Sequence, residues 1–462
     1  MEIYDVVVLG AGPPGEVAAG RCADSGLSVA LIEERLVGGE CSFYGCIPSK
    51  TLIRPGDVLA SARRVPGAAE AVGGVLDAAS AFEWRDYMTS SWDDSGQLPW
   101  LQERGIKLYR GRGRLDGVRT VVVESDGGSL RLEARKAVVL ACGTSPNHPK
   151  IDGLDAISYW DNRDATAASV VPRHLAVLGG GPIGVEMAQA FRRLGSEHVT
   201  VVEGGVRLLS REEPFAGEEL QKAFQSEGIE VLVSTHCTKV RRKGQAGEVT
   251  LTLDSGAELV ADELLVAVGR RPNTSSVGLE TVGLQVGRYL PVDRSLKVEG
   301  VEGGWLYAIG DCNGLAPFTH MGKYQARVAA EAILGRPATD IADHGIVPRV
   351  IFTDPQVAAV GLKEQEARDR GLRVRVLTYP LGDVPGAYVR GKGISGTCQL
   401  VVDDERRVVI GATFTGPSVQ ELLHSATIAI AGEVTLDRLV HAVPSFPTVS
   451  EVWLHLLEAY GL

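Results

Sequence analysis

The chain has 462 residues, of which 44% are hydrophobic and 23% are charged, and its formal net charge is −11. This composition is typical of a globular protein with a large core, and it excludes a disordered or collagen-like chain. The excess of acidic residues argues against nucleic acid or an anionic membrane surface as the main partner. The sequence has no apolar run of transmembrane length and opens with a predicted strand, so we expect a cytoplasmic protein without a signal peptide.

The first residues predict a strand, a helix and a second strand, which together make a βαβ unit. An apolar run at 4–10 predicts the first strand, residues 13–25 predict the helix, and residues 28–32 predict the second strand. The turn between strand and helix has the spacing that admits a dinucleotide pyrophosphate, with Gly10, Gly12 and Gly15. Glu33 ends the second strand, where a carboxylate can bind a ribose diol. We predict a dinucleotide site here; the alternative is a glycine-rich packing turn.

Two of the seven cysteines, Cys41 and Cys46, follow this unit at the start of a predicted helix. The partial positive charge of a helix N-terminus lowers the pKa of a thiol and favours the thiolate that disulfide exchange requires. The spacing of the pair is wider than in a thioredoxin-type pair, and no second cysteine cluster completes a zinc site. The residues themselves leave two interpretations open, a redox-active pair or two buried structural cysteines.

The βαβ pattern recurs over residues 174–203, which indicates an internal repeat. The glycine spacing is repeated at Gly179, Gly181 and Gly184. Two such units imply two dinucleotides, and one flavin with one nicotinamide is the simplest pairing. Glu203, at the end of the second strand, would repel a 2′-phosphate and accept from a free 2′-hydroxyl, which favours NADH over NADPH. Arg207, four residues on, keeps NADPH as the alternative.

The rest of the chain divides into stretches that differ in predicted secondary structure. Residues 51–105 predict helices and residues 107–133 predict a β-rich stretch. Two strands around a turn at 254–256 predict a hairpin formed by Glu248–Leu253 and Glu258–Leu265. A strand at Trp305–Ile309 and a helix at Lys323–Ile333 follow, and from residue 345 strands mix with helices. We interpret that last part as a separate α+β domain.

The segment GGECSFYGCIPSK, at 38–50, closely resembles the active-site signature of the pyridine nucleotide–disulfide oxidoreductases. This family includes dihydrolipoamide dehydrogenase, glutathione-type reductases and mercuric reductase. Further segments that resemble family landmarks occur in family order: ACGTSP (141–146), VAVGRRPN (266–273), LYAIGDCNG (306–314), FTHMGKYQARVAA (318–330) and FTDPQVAAVG (352–361).

The resemblance implies an α/β fold with two Rossmann-like dinucleotide-binding domains and a C-terminal α+β dimerisation domain. The FAD-binding domain would comprise residues 1–147, with 274–344 returning to it as its central part. The NAD(P)-binding domain would be 148–273 and the dimerisation domain 345–462.

The resemblance also assigns roles to individual residues. Cys46 would be the charge-transfer thiol against the flavin, and Cys41 would be the interchange thiol that faces substrate. Lys50 and Glu186 would form an ion pair beside the flavin N5 and the nicotinamide. The implied cofactor-binding positions are Gly10, Gly12, Gly15, Glu33, Lys50, Gly143, Gly179, Gly181, Gly184, Glu203, Gly269 and Asp311. The cofactors would be FAD and NAD(H), with NADP(H) as the alternative, and no metal site is predicted.

One position departs from the family pattern. Members that act on dithiols usually have His-Pro near the C-terminus and Glu five residues after the His; here Pro447 and Glu451 match, but Phe446 replaces the His. Phe has no proton to give, and loss of a general acid–base group commonly lowers a rate by about 10²–10⁴-fold. His441 could substitute only if its loop bends inward. Mercuric reductases carry Tyr here and a vicinal cysteine pair at the C-terminus, whereas this chain ends in EAYGL, so mercury is not the expected substrate.

These features predict an oxidoreductase that passes hydride from NADH to FAD, then to a Cys41–Cys46 disulfide and on to a small disulfide or dithiol substrate, as in dihydrolipoamide dehydrogenase. The alternative is a family member with another acceptor, such as a quinone, a metal ion or a specialised metabolite, because of Phe446. A third possibility is a non-catalytic nucleotide sensor. The family implies a homodimer in which Phe446 and Glu451 of one subunit complete the site of the other. The direction of electron flow and membership of a multienzyme complex stay open.

Overall fold

Strands and helices alternate through most of the chain, and the computed structural model describes them in residues 1–244, 247–342 and 345–462. Both kinds of element are numbered in chain order. The strands in these residues are β1 (Glu2–Leu9), β2 (Val29–Glu33), β3 (Lys107–Arg110), β4 (Arg112–Leu115), β5 (Thr120–Ser125), β6 (Gly128–Leu140), β7 (Thr144–Pro146), β8 (His174–Leu178), β9 (His198–Val202), β10 (Ile229–Leu232), β11 (Cys237–Arg242), β12 (Val249–Leu253), β13 (Glu258–Ala261), β14 (Glu263–Val266), β15 (Arg270–Pro272), β16 (Leu306–Ala308), β17 (Arg349–Ile351), β18 (Gln356–Gly361), β19 (Val374–Pro380), β20 (Thr397–Asp403) and β21 (Val408–Gly416). The α-helices are α1 (Pro13–Asp24), α2 (Gly39–Phe43), α3 (Cys46–Arg64), α4 (Ala78–Met88), α5 (Leu98–Glu103), α6 (Asn162–Ala167), α7 (Pro182–Leu194), α8 (Pro214–Ser226), α9 (Thr319–Ile333), α10 (Glu364–Asp369), α11 (Pro385–Tyr388), α12 (Val419–Ala431), α13 (Leu436–Leu439) and α14 (Val452–Tyr460).

Contacts within the chain divide it into two units. The first unit combines Met1–Pro48, Asp86–Asn147 and the stretch that begins at Arg270 and ends before Gly345. The second unit combines Ser49–Arg85, His148–Gly269 and Gly345–Leu462. The division into FAD-binding, NAD(P)-binding and dimerisation domains, which the family resemblance implies, stays a prediction.

The first unit is built on a sheet of strand order β3-β2-β1-β6-β5-β4, with β16 also pairing with β6. β1 pairs in parallel with β2 and with β6, and α1 connects β1 to β2 as the sequence predicts. Val6, Val7 and Val8 have no exposed surface, as expected for a parallel strand covered on both faces. Because Leu9 pairs with Leu140 and Leu140 pairs with Ala308, the carboxyl ends of β1, β6 and β16 meet at one edge. Ligands of open α/β sheets bind at such an edge.

The second unit contains a parallel sheet of order β10-β9-β8-β14, in which α7 connects β8 to β9. An antiparallel sheet, β11-β12-β13, contains the predicted hairpin. The predicted second strand of that hairpin, Glu258–Leu265, is too long, because β13 ends at Ala261 and residues from Glu263 join the parallel sheet beside β8. Leu264 and Leu265 are fully buried there, so burial in the parallel sheet separates the two strands.

The C-terminal part of the second unit is an antiparallel sheet of order β17-β18-β21-β20-β19. Helix α12 packs against β18 and β21, and α14 packs against β19. Phe414 and Trp453 meet edge to face in the core, with ring centroids 6.3 Å apart. The predicted fold class is therefore confirmed, with one mixed and one parallel dinucleotide-type sheet and a C-terminal α+β part.

Helix boundaries differ from the predictions in two places. The predicted helical stretch at 51–105 comprises α3, α4 and α5, which are separated by segments that contain short 3₁₀ helices, and the helix predicted from Lys323 begins at Thr319. Among the described residues, no helix combines the length and the apolar character needed to cross a membrane.

Candidate active site

In the first glycine turn, two glycines allow close packing of the backbone and a third borders open space. Gly10 has φ +101°, and a Cβ added there would lie 2.4 Å from the carbonyl oxygen of Ala141. A Cβ at Gly15 would lie 1.9 Å from the carbonyl oxygen of Gly10, so both positions need glycine for close packing of strand and helix. A Cβ at Gly12 would meet no atom within 4 Å, and Gly12 is the N-cap of α1. This open space before a helix N-terminus suits a pyrophosphate.

Glu33 is fixed at the end of β2 by two backbone groups. Its Oε2 accepts from the N–H of Ala11 at 2.8 Å and its Oε1 accepts from the N–H of Arg35 at 2.8 Å. The side chain is buried, and this burial raises the pKa of its carboxyl group. Each oxygen keeps a lone pair that can accept from a hydroxyl, so the geometry fits an adenosine ribose beside the glycine turn.

A polar array lies where β6 and β16 end. Thr144 Oγ1 donates to Asp311 Oδ2 at 2.8 Å, and Arg270 Nε donates to Thr144 Oγ1 at 2.8 Å. Arg270 also pairs with Glu40 at 3.3 Å. Burial raises the pKa of Asp311, which is carried by the short helix Gly310–Asn313. A hydroxyl-bearing chain such as the ribityl chain of a flavin fits this donor and acceptor set.

Gly143 and Gly269 lie in turns that follow β6 and β14. Gly143 has φ +64° and Gly269 has φ +113°, and a Cβ at either position would meet no atom within 4 Å. Both positions therefore need glycine for their backbone conformation rather than for packing.

The two cysteines lie on different helices, which corrects the expectation that both start one helix. Cys41 is inside the five-residue helix α2, and Cys46 is the first residue of α3. Neither cysteine is part of a disulfide in this structure. Contact with Cys46, together with burial, raises the pKa of the Cys41 thiol, whereas the sequence predicts a lowered pKa. Thr319, the first residue of α9, places its Oγ1 3.4 Å from Cys46 Sγ and also hydrogen-bonds Cys41.

Lys50 and Glu186 form an ion pair in the second unit. Lys50 lies on α3, and its Nζ is 2.6 Å from Glu186 Oε2 on α7. Glu186 Oε1 accepts from the N–H of Phe352 at 2.9 Å. The Lys50 side chain is 35% exposed and the Glu186 side chain is 6% exposed, so the acid is buried while the ammonium faces partly outward. A half-exposed cation held by a buried acid can stabilise a neighbouring anionic ring.

The second glycine turn repeats the first in detail. A Cβ at Gly184 would lie 1.9 Å from the carbonyl oxygen of Gly179, while a Cβ at Gly181 would meet nothing within 4 Å. Glu203 accepts from two backbone N–H groups, those of Gly180 and Gly205, at 2.5 Å each. This geometry fits a second dinucleotide with a ribose at Glu203.

Arg207, the residue on which the NADPH alternative depends, forms hydrogen bonds with the backbone. Its guanidinium donates to the carbonyl oxygens of Ser210 at 3.2 Å and Glu212 at 3.0 Å. Both hydrogen bonds use Nη2 of the guanidinium.

The C-terminal positions contain an orphaned acid. Glu451 lies in the short helix Val449–Glu451, and its Oε2 is buried with no hydrogen-bond partner among the described residues. Phe446 is 73% exposed, and it offers no donor to such a carboxylate. His441 is exposed at the end of α13.

The sequence analysis missed several residues that shape these sites. Thr144, Arg270, Thr319 and Phe352 all lie within segments that resemble family landmarks, so the segments marked the right places without singling out these side chains. Trp92 has no such signal, yet its indole N–H donates to the carbonyl oxygen of Phe43 at 3.0 Å and holds the end of α2.

Comparison with known proteins gives consistent matches over nearly the whole chain. Residues 4–332 match the family described as pyridine nucleotide-disulphide oxidoreductase, and residues 347–457 match its dimerisation domain. A dihydrolipoyl dehydrogenase of Mycobacterium bovis is 33% identical over 98% of this chain and 97% of its own. A mercuric reductase of Staphylococcus aureus is 30% identical over 97% of this chain and 81% of its own.

Among solved structures, an HOCl-induced flavoprotein disulfide reductase of Escherichia coli, in a Cu(II) complex, has a TM-score of 0.87 at 25% identity and covers 99% of both chains. These matches agree with the two dinucleotide-type turns, the cysteine pair and the C-terminal sheet. The chain therefore belongs to the pyridine nucleotide–disulfide oxidoreductases, flavoproteins that are FAD-dependent, take electrons from NAD(P)H and carry a redox-active disulfide and a dimerisation domain.

Proposed function

We propose that the protein is an NADH-dependent, dihydrolipoamide dehydrogenase-like enzyme that moves two electrons between the nicotinamide and a small disulfide or dithiol through the Cys41–Cys46 pair. The observation that carries this proposal is the contact between the Cys41 thiol, on α2, and the Cys46 thiol, at the start of α3. When bound, FAD accepts hydride from a nicotinamide and exchanges electrons with a disulfide. Gly10, Gly12, Glu33 and Asp311 fit the diphosphate, ribose and ribityl parts of that cofactor.

The protein's own chemistry is thiol–disulfide exchange. Reduction of the Cys41–Cys46 disulfide takes up two electrons and two protons and leaves two thiols. The Cys41 thiolate attacks one sulfur of the substrate disulfide, whose S–S bond breaks, so that one substrate thiol leaves and a mixed disulfide forms. The Cys46 thiolate then attacks Cys41, releases the second substrate thiol and restores the protein disulfide. Each cycle reduces one substrate disulfide to two thiols, and every step is reversible.

Proton transfer is the demanding part of this cycle in the present chain. The contact with Cys46 and burial raise the pKa of Cys41, so the attacking thiol must lose its proton to another group. Lys323, on α9 one turn after Thr319, favours the thiolate of Cys41 electrostatically. Phe446 supplies no acid or base where the family usually has His. We expect turnover of disulfides to be slow and limited by proton transfer.

The second glycine turn supports the proposed preference for NADH over NADPH. Both oxygens of Glu203 point toward the backbone around Gly180 and Gly205, which leaves a negative charge where a 2′-phosphate would lie. Arg207 donates to two backbone carbonyl oxygens, which hold part of its guanidinium. We therefore propose NADH as the physiological nicotinamide.

The dimerisation domain supports a homodimer, and we propose that the substrate pocket is completed by Phe446 and Glu451 of a second subunit. The exposed ring of Phe446 is suited to cover by another surface. The expected cytoplasmic location stays a prediction.

A second candidate function is reduction of an acceptor that needs no protonated thiol, such as a quinone or a soft metal ion. The observation that favours it is that Phe446 stands where the family usually has His, while Glu451 Oε2 has no hydrogen-bond partner among the described residues. Relatives named mercuric reductase, and a disulfide reductase solved as a Cu(II) complex, make metal ions suitable acceptors to test.

Steady-state assays with NADH and NADPH side by side separate these functions. Lipoamide, glutathione disulfide, a quinone and Cu(II) serve as acceptors, and Cys41→Ser is the matched variant. The proposal expects NADH-dependent lipoamide turnover that Cys41→Ser abolishes. Quinone or Cu(II) turnover that survives Cys41→Ser, without lipoamide turnover, would favour the second candidate. Failure of NADH to reduce the bound flavin under anaerobic conditions would favour a nucleotide sensor.

A further inference from the structure

Phe352 contacts both members of the Lys50–Glu186 ion pair. Its backbone N–H donates to Glu186 Oε1 at 2.9 Å, while Lys50 Nζ occupies the other carboxylate oxygen at 2.6 Å. The same Nζ lies 4.8 Å from the centroid of the Phe352 ring, which is cation–π distance. Phe352 therefore constrains Glu186 through its backbone N–H and Lys50 through its ring.

The segment that carries this residue, Phe352–Asp354, is itself anchored to α7. Asp354 N–H donates to Gln189 Oε1 at 2.7 Å, and Gln189 Nε2 donates back to the Asp354 carbonyl oxygen at 2.9 Å. Gln189 is 3% exposed and lies three residues after Glu186 on the same helix. The backbone of the segment is thus fixed against the helix that holds the acid.

The Asp354 side chain anchors the same segment to α3. Its Oδ2 accepts from Arg64 at 2.6 Å and from Arg193 at 2.8 Å. Burial disfavours its charge, but Arg193 and Arg64 outweigh that effect and hold the pKa of Asp354 below its usual value. Because Arg64 lies on the helix of Lys50 and Arg193 lies on the helix of Glu186, the segment ties together the two helices that carry the ion pair.

We propose that Phe352 is a positioning residue, which holds the Lys50 ammonium against Glu186 so that the ion pair keeps one geometry. Without the ring, the partly exposed lysine can turn toward water, because its stem is flexible and its head is strongly hydrated. This inference rests on the proposed function and on the role beside the flavin that the family resemblance implies for Lys50.

The first test uses the FAD-free protein. Lys50 acetylation by a small anhydride is followed by mass spectrometry in wild type, Phe352→Leu and Phe352→Tyr, with exposed Lys136 as the internal reference. We expect Lys50 to react severalfold faster in Phe352→Leu and at the wild-type rate in Phe352→Tyr, which keeps the ring. Equal rates in all three proteins would overturn the proposal.

The second test uses the FAD-loaded protein. A cation–π contact contributes about 0.5–2 kcal/mol, so Phe352→Leu should lower the rate of flavin reduction by NADH about 2- to 30-fold. The flavin potential should become more negative, FAD content should not change, and Phe352→Tyr should restore the wild-type values. Phe215→Leu, at a half-buried site on α8, is the matched control and should leave rate and potential unchanged.

A reference variant separates failure of this inference from failure of the proposed function. If Lys50→Met leaves rate and flavin potential at wild-type values, the proposed role of Lys50 is wrong. If Lys50→Met changes both and Phe352→Leu changes neither, the positioning role of Phe352 is wrong. Should Phe352→Leu fold poorly, Phe352→Met, which fills a similar volume without a ring, carries the same expectations.

Discussion

Glu451 has a buried carboxylate oxygen that meets no donor among the described residues. A buried polar group that is left unsatisfied costs about 1–3 kcal/mol. Phe446, five residues earlier, is a hydrocarbon ring that is 73% exposed. Under the proposed function, the chain retains the Glu of the family's acid–base pair and lacks the His, so proton transfer at Cys41 would need another group.

Restoring the missing group is a direct test at the residue scale. Phe446→His should raise lipoamide turnover by about 10²-fold or more, because a positioned general acid–base group commonly contributes ~10²–10⁴. Steady-state kcat/KM with NADH measures the effect. Phe446→Gln controls for polarity, since Gln cannot transfer a proton, and should give no gain. An unchanged rate in Phe446→His would identify a different proton source.

The glycine turns show how an element combines folding and binding. Gly12→Ala adds a methyl group into open space at the N-terminus of α1, so unfolding stability should change by less than about 0.5 kcal/mol. FAD affinity should fall because that methyl occupies the space expected for pyrophosphate. Urea denaturation of the FAD-free protein and FAD titration measure the two effects.

Gly15→Ala is the matched variant of the same turn. Its methyl group would lie 1.9 Å from the carbonyl oxygen of Gly10, so it should destabilise the FAD-free protein by about 1–3 kcal/mol or more. If Gly12→Ala bound FAD as wild type does, the turn would not be the pyrophosphate site.

The first turn of α1 also predicts a pH dependence. Burial raises the pKa of Glu16 from 4.5 to about 7, although Lys323 opposes the shift. Between these pH values the folded state binds more protons than the unfolded state, so unfolding free energy should fall as pH rises through this window. Glu16→Gln removes this loss and should gain at most about 3 kcal/mol over wild type between pH 5 and 8. Urea denaturation of the FAD-free protein at each pH measures the unfolding free energy. Glu103→Gln, at an exposed position, is the control. Parallel pH profiles for wild type and Glu16→Gln would contradict the raised pKa of Glu16.

The elements that sequence could predict are those with a local signal. Both βαβ units, with Gly10 and Gly179 in their turns, are readable from apolar runs and glycine spacing. The five-residue helix of Cys41 is too short to show periodicity, so the sequence predicts a single helix start for both cysteines. The anchoring of Asp354 by Arg64 joins residues 290 positions apart, and no pattern along the chain marks such a contact.

At the scale of the whole molecule, the fold class and family were predictable because several motif segments occur in family order. The orphaned oxygen of Glu451 was not, because a missing partner is visible only once neighbouring side chains are placed. The substrate was not predictable either, since Phe446 shows what the site lacks and not what it binds.

The central claim is that Cys41 and Cys46 are a redox pair that exchanges electrons with bound FAD, and an anaerobic reductive titration tests it most directly. The wild-type protein should take up about four electrons per FAD before the flavin is bleached, two for the disulfide and two for the ring. A long-wavelength thiolate-to-flavin band should appear after the first two electrons, vanish in Cys46→Ser and persist in Cys41→Ser. Bleaching after only about two electrons in wild type, or a band that survives in both variants, would contradict the account.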